Sequence, residues 1–213
     1  MFNQRPGIID INRLSDLLMK PEKQLQGYLC DQLEALSYRL YLGKDERDNI
    51  AYIYAVREDS LPVLLIAHTD TVHKQPPKDI YYDEIDHSLS SWDGIGADDR
   101  AGVFAILELI KSYKCDVLFT SFEEQGLLGA KHFIEDFKEN PGYQMLIELD
   151  TPGDSYAKFY DNRSLDFQAY ILSFGFEVSS GKRTDIRAIS PEWKINAVNL
   201  SAGILTITKE VNS

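Results

Sequence analysis

Apolar positions along the chain fall into a few patterns, and each predicts an element. From Ile11 to Leu36 they recur at helical spacing: Leu25, Leu29, Leu33 and Leu36 form one stripe, and Pro21 stands where a second helix can begin. Tyr38 and Leu40, then Ile50, Tyr52 and Tyr54, alternate with their neighbours. They predict two short strands joined by the charged turn from Gly43 to Asn49. Val63 to Ala67 is an unbroken apolar run behind Pro62, the pattern of a strand covered on both faces. Two more runs, Val117 to Ser121 and Met145 to Leu149, repeat it. Val103 to Ile110 reads as a buried helix, and a second helix runs to about Phe137. Further on, Ala157 to Tyr160, Leu165 to Leu172 and Ala197 to Leu200 alternate and predict additional strands. The polar stretch 73–93, with Pro76-Pro77, predicts a long loop lying over the ends of the strands.

The three buried strands end in chemistry. The first stops at His68-Thr69-Asp70, the second at Glu123-Glu124, the third at Asp150. Residues two apart on a strand point to one side, so Asp70 can accept one ring N–H of His68 and leave the other nitrogen for a metal. Asp98 and Asp99 follow Asp93-Gly-Ile-Gly-Ala and sit near the start of the helix at 103–110, where the dipole favours an ionised carboxylate. Taken singly, a His-x-Asp is commonly a loop start and the Asp pair a set of N-caps. Recurrence at three strand ends changes that balance, because ligand sites in parallel α/β sheets lie outside the carboxyl ends of the strands. The fold expected is a single α/β domain over 1–213, a three-layer αβα sandwich with a mixed, mainly parallel sheet. About 50 residues separate Asp150 from Leu200, and the sheet needs them, so no inserted lid domain is expected.

Composition narrows the function. A hydrophobic share of 44% with 26% charged residues is ordinary for a folded globular chain and excludes general disorder. The net charge of −12 disfavours binding to nucleic acid or to anionic membranes. Cys30 and Cys115 form no CxxC pair and read as free thiols in a reducing compartment. Residues 1–7 lack the apolar core of a signal peptide, and no run of 18 apolar residues occurs. A cytoplasmic protein is therefore expected.

In their order and spacing, four segments resemble the catalytic domain of the two-metal zinc exopeptidases, the superfamily of aminopeptidases, peptidase T-like tripeptidases and carboxypeptidase G-like hydrolases. They are His68-Thr-Asp70, Gly96-Ala-Asp98-Asp99-Arg-Ala-Gly102, Glu123-Glu124-Gln-Gly126-Leu-Leu-Gly129-Ala130 and Glu148-Leu-Asp150. The resemblance extends from about residue 10 to about residue 203. It implies that His68 and Asp150 bind one metal, Asp98 bridges two, Glu124 binds the second, Glu123 is the general base and Asp70 orients His68. The chemistry of the residues agrees. A bridging ligand needs two oxygens, which a carboxylate offers, and mixed His and carboxylate ligation suits Zn²⁺, or Mn²⁺ or Co²⁺. Two cations roughly 3.5–4 Å apart can polarise a carbonyl and lower the pKa of a shared water. One Glu of the pair can ligate while its neighbour takes the water's proton and hands it to the leaving amine.

The resemblance implies a metal-dependent hydrolase acting on a peptide or acyl-amino-acid substrate, most simply an exopeptidase, and is compatible with a homo-oligomer. The chain departs from the family at its end. The family's fifth ligand is a His beyond a segment like Asn199-Leu-Ser-Ala-Gly203, but here Ile204 to Ser213 contains none. Two metals are nominal and one is expected to be retained, with a His near Thr206 to Thr208 expected to restore the second. The same gap keeps open a rival reading, a catalytically impaired relative that binds or regulates. Loop residues His73 and His87 are candidates for substitution at the site, His132 reads as structural, and Arg183, Thr184 and Asp185 resemble a family loop near substrate.

Overall fold

The computed structural model describes residues 10–160, 164–181 and 183–204. The N-terminal helical pattern divides at Pro21, which caps the second of two helices, α1 (Ile11–Leu18) and α2 (Glu22–Ala35). The alternating segment forms β1 (Arg39–Lys44) and β2 (Ile50–Val56), paired antiparallel. The continuous apolar runs form β3 (Leu61–His68), β6 (Cys115–Thr120) and β7 (Met145–Pro152). Between β3 and β6 lie a small hairpin, β4 (Tyr81–Asp83) with β5 (Ser88–Ser90), and helix α3 (Ala97–Leu109). After β6 comes α4 (Leu128–Asp136). After β7 the chain adds β8 (Tyr156–Lys158), α5 (Leu165–Leu172), β9 (Glu177–Val178), α6 (Ile186–Trp193) and β10 (Asn196–Ile204).

Eight strands make one sheet in the order β1-β2-β6-β3-β7-β10-β8-β9. The centre is parallel: β3 pairs with β6 on one side and β7 on the other, and β7 pairs with β10. Antiparallel partners are added outside it. Alternate residues of the central strands go to opposite layers. Ile53, Leu65, Ala67, Val117 and Phe119 pack with Leu25, Leu29, Leu33, Val103 and Ile106 from α2 and α3. Tyr52, Tyr54, Leu64, Ile66 and Leu118 pack with Phe133, Ile189 and Trp193 from α4 and α6. The result is the expected mixed α/β fold with helices on both faces of the sheet. Leu25, Leu29 and Leu33 are fully buried, each contributing roughly 1.5–3 kcal/mol of transfer free energy.

Two expectations are corrected. Leu165–Leu172 is helix, not strand. The Ser164 side chain accepts a hydrogen bond from the Phe167 N–H and starts the helix, and Phe167 and Ile171, four apart, are the buried pair. The segment is apolar enough to look alternating, and the cap decides. The stretch 73–93 is not wholly loop, since it contains the β4–β5 hairpin, and none of its residues lines the cavity described below.

Candidate metal centre

The sheet delivers its polar groups at the carboxyl end of β3. His68 is the last residue of β3, opposite Thr120 on β6, and Ile66 opposite Glu148 sets Asp150 two residues further along β7. Asp98 arrives from the start of α3, whose first turn is not regular helix: Asp98 (φ −85°, ψ 104°) and Asp99 (φ −114°, ψ 34°) depart from helical angles, and the peptide between them is cis. Gly96 precedes them in the left-handed region at φ 66°, where glycine is favoured. Gly102 lets α3 lie directly on β7, because a Cβ there would collide with the Leu149 carbonyl and the Asp99 carboxylate. That close approach brings Asp98 to His68.

His68, Asp98 and Asp150 each offer a ligand atom, and these atoms lie within 4.8 Å of one another. His68 Nε2 is 3.1 Å from Asp98 Oδ1 and 3.6 Å from Asp150 Oδ1. On the other side of the ring, Nδ1 is 3.0 Å from the Asp70 carbonyl oxygen and 3.4 Å from its carboxylate. The nearer acceptor for that N–H is thus Asp70's backbone, while its carboxylate accepts the backbone N–H groups of Glu123 and Glu124. Glu123 and Glu124 line the same cavity of about 310 Å³, Glu123 half-buried and Glu124 exposed. Among the described residues the cluster of ligand atoms does not include Glu124.

The ionisable groups of the cluster perturb one another strongly. Burial opposes a charged His68, but its contacts with Asp150, Asp70 and Asp98 prevail and raise its pKa well above the ordinary value. Asp98 keeps an open side toward solvent; the protein around it partly desolvates its anion, yet His68 holds that carboxyl below the usual range. Burial pushes Glu123 up to about 7, with Asp185 and Asp150 adding to the effect and His68 opposing it. Exposed Glu124 is raised by partial desolvation at the cavity and by Asp98. The expectation that the helix start keeps its carboxylates ionised fits Asp98 and not Asp99. Asp99 is fully buried, and burial together with Asp150 lifts it well above the carboxylate range. Its oxygens accept the backbone N–H groups of His68 and Gly102. One imidazole beside several crowded carboxylates is a donor set that a divalent cation fits.

Behind the cluster lies a buried scaffold. Glu148 accepts from the Thr184 hydroxyl and, at 3.0 Å, from the Asp185 N–H. Thr120 donates to Asp185, whose other oxygen has no hydrogen-bond partner among the described residues. Burial raises Glu148 well above its ordinary value and Asp185 to about 7. Asn199 accepts from the Asp150 N–H at 3.0 Å and donates to Thr184 at 2.9 Å. Lys158 and Arg183 complete the cavity wall. Sequence reading singled out Arg183 but missed Lys158 and the bracing by Asn199. The alternation from Ala157 to Tyr160 marks a strand and says nothing of which face meets the site. His73 and His87 are exposed and outside the cavity, and His87 faces the Tyr82 hydroxyl at 2.9 Å. His132 lies in α4. Positions 206–208, near which a His is expected to restore the second metal, are outside the described residues.

An α/β sheet with a His and carboxylate cluster at the ends of its parallel strands defines a metallohydrolase-like architecture. The chain belongs to Peptidase family M28, whose model matches residues 49–186. No curated protein matches it in sequence. Among solved structures it is similar to a leucine aminopeptidase precursor from Bacteroides thetaiotaomicron, with a TM-score of 0.58, 17% identity, and 88% of this chain and 81% of that one covered. A glutaminyl cyclase from the same organism gives 0.59, 18%, 88% and 81%. Aminopeptidase PepT from Bacillus cereus gives 0.56, 18% and 70%, and this chain spans only 45% of its length.

Proposed function

We propose that the protein is a metal-dependent exopeptidase acting on short peptides or N-acyl amino acids. The convergence of His68, Asp98 and Asp150 beside half-buried Glu123 carries this reading. Family membership supports it. His68, Asp98 and Asp150 would hold the first cation, zinc in preference to manganese or cobalt. Glu124 and the second oxygen of Asp98 would hold a weaker second one. A bound cation would polarise the scissile carbonyl and make water more acidic.

The chain supplies the rest. The Asp70 carbonyl accepts a hydrogen bond from His68 Nδ1–H, which favours the tautomer whose Nε2 lone pair is free for a cation. Glu123, with its pKa raised to about 7, accepts a proton from water on a carboxylate oxygen and returns it to the leaving amine. Asp70 also ties down the backbone that presents Glu123. The reading takes 1–213 as one catalytic domain without an inserted lid, since the described elements after Asp150 join the sheet or pack on it. It places the protein in the cytoplasm, in keeping with two free cysteines. Among the described residues no helix is long and apolar enough to cross a membrane. Assembly into a homo-oligomer is part of the proposal. A similar structure, PhTET1-12s, forms a dodecamer in the asymmetric unit of its crystal.

The test is turnover of aminoacyl and N-acyl substrate panels by zinc-loaded protein, with Glu123→Gln as control. Cleavage that depends on Glu123 supports the reading, and no cleavage of any member contradicts it.

A further inference from the structure

Two cationic side chains share the cavity of the metal centre, and the chemistry above gives neither a task. Lys158 ends β8 and Arg183 precedes α6, and both line the cavity alongside the carboxylates. Among the described residues neither forms an ion pair.

Their positions are fixed from behind rather than by each other. Lys158 is the cross-strand partner of Asn199, so the two side chains share a face of the sheet. Asn199 is fully buried and bonds both to the Asp150 N–H and to the Thr184 hydroxyl. Thr184 and Asp185 are in turn fastened to Glu148, which leaves their neighbour Arg183 projecting from an anchored backbone. Gly181 makes room on the same side: a Cβ there would come within 2.8 Å of the Tyr160 hydroxyl and 2.9 Å of Lys158 Cδ. One buried asparagine therefore links the backbone of Asp150 to Thr184, the neighbour of Arg183, from the position paired with Lys158.

An ammonium and a guanidinium lining one cavity offer a substrate carboxylate charge-assisted donors, while Asp98 and Asp150 of the same lining are the residues that would hold the cation. The cavity, about 310 Å³, is at the small end for ligand sites. A carboxylate held by Lys158 and Arg183 lies in the same small cavity as His68. We propose that Lys158 and Arg183 form a carboxylate subsite beside the metal centre. The substrate is then a dipeptide or N-acyl amino acid with a free C-terminal carboxylate on the leaving side of the scissile amide. This deepens the exopeptidase reading and rests on it.

Calorimetric titration of zinc-loaded Glu123→Gln protein, which is expected to keep its metal and lose turnover, with N-acetyl-leucine, N-acetyl-leucinamide and N-acetyl-isoglutamine tests the subsite without requiring hydrolysis. The third compound carries its only carboxylate on the side chain. The free acid is expected to bind about tenfold or more tighter than the amide, the difference made by a charge-assisted contact. Lys158→Met, which keeps the stem, and Arg183→Gln should each reduce that preference, and the double variant should erase it. Equal binding of acid and amide overturns the proposal, as does a preference that survives the double variant. Binding of N-acetyl-isoglutamine as tight as that of N-acetyl-leucine overturns the C-terminal assignment. Dipeptide hydrolysis is read separately. Hydrolysis with no preference for the free acid sinks the subsite alone, whereas an acid preference without any hydrolysis sinks the exopeptidase reading alone.

Discussion

The Asp70 carboxylate accepts the Glu123 backbone N–H at 3.1 Å, so one residue touches both the His68 ring and the loop that carries the Glu pair. The Glu124 N–H reaches its other oxygen at 3.3 Å. Removing the side chain frees that loop and leaves only the carbonyl to orient His68. Asp70→Ala should lower metal affinity by about 10–100-fold, the usual loss for a group that orients a metal ligand. Competition against a chelator of known affinity would show it, and unchanged affinity would remove Asp70 from the site.

His68 sits between Asp98 and Asp150 and, among the described residues, offers the one nitrogen atom of the cluster that could hold a metal. We expect about one tightly held metal per chain, and His68→Ala should abolish it. Because metal stabilises only the folded state, wild-type protein at zinc 100-fold above its Kd should gain about 2.7 kcal/mol over chelated protein. The His68→Ala variant should gain none. A melting temperature that responds to zinc equally in both proteins would reject the assignment.

Glu123 and Glu124 are adjacent yet differ in setting, the first half-buried and raised to about 7, the second exposed. Glu123→Gln should cost on the order of 10²-fold or more in turnover with metal content intact. Glu124→Gln should chiefly weaken binding of a second metal. Exchange of the two phenotypes would show that the roles are reversed.

Away from the site, Phe133 is fully buried and meets Tyr52, Tyr54, Phe137 and Trp193 at ring-centroid distances of 5.0–5.4 Å. Phe133→Ala should destabilise the protein by about 3–5 kcal/mol in chemical denaturation. A loss below about 1 kcal/mol would mean that the α4 layer contributes little to the fold.

Much of this was readable beforehand because burial writes itself into composition. A strand covered on both faces has to be apolar, so Val63–Ala67 stood out, and a polar residue ending such a run, like His68, had to face an edge. The N-terminal helices were marked by Leu25, Leu29 and Leu33 and by Pro21. Residues 165–172 misled because an apolar segment carries little periodicity, and its state turned on one Ser164 cap. The burial of Asp99, its neighbour Asp98 remaining exposed, depends on backbone angles at the start of α3 that no residue pattern encodes. Lys158 entered the site through β8 pairing with β10, a contact between segments about 40 residues apart. The stretch 73–93 was long and polar, which signals exposure but not what it covers.

The measurement that tests the central claim most directly is a zinc titration of chelated protein with hydrolysis of a dipeptide followed at each step. The account predicts no hydrolysis by the metal-free protein and a rate that rises with bound zinc. Hydrolysis at full rate without metal, or none with the His68 centre saturated, would contradict it.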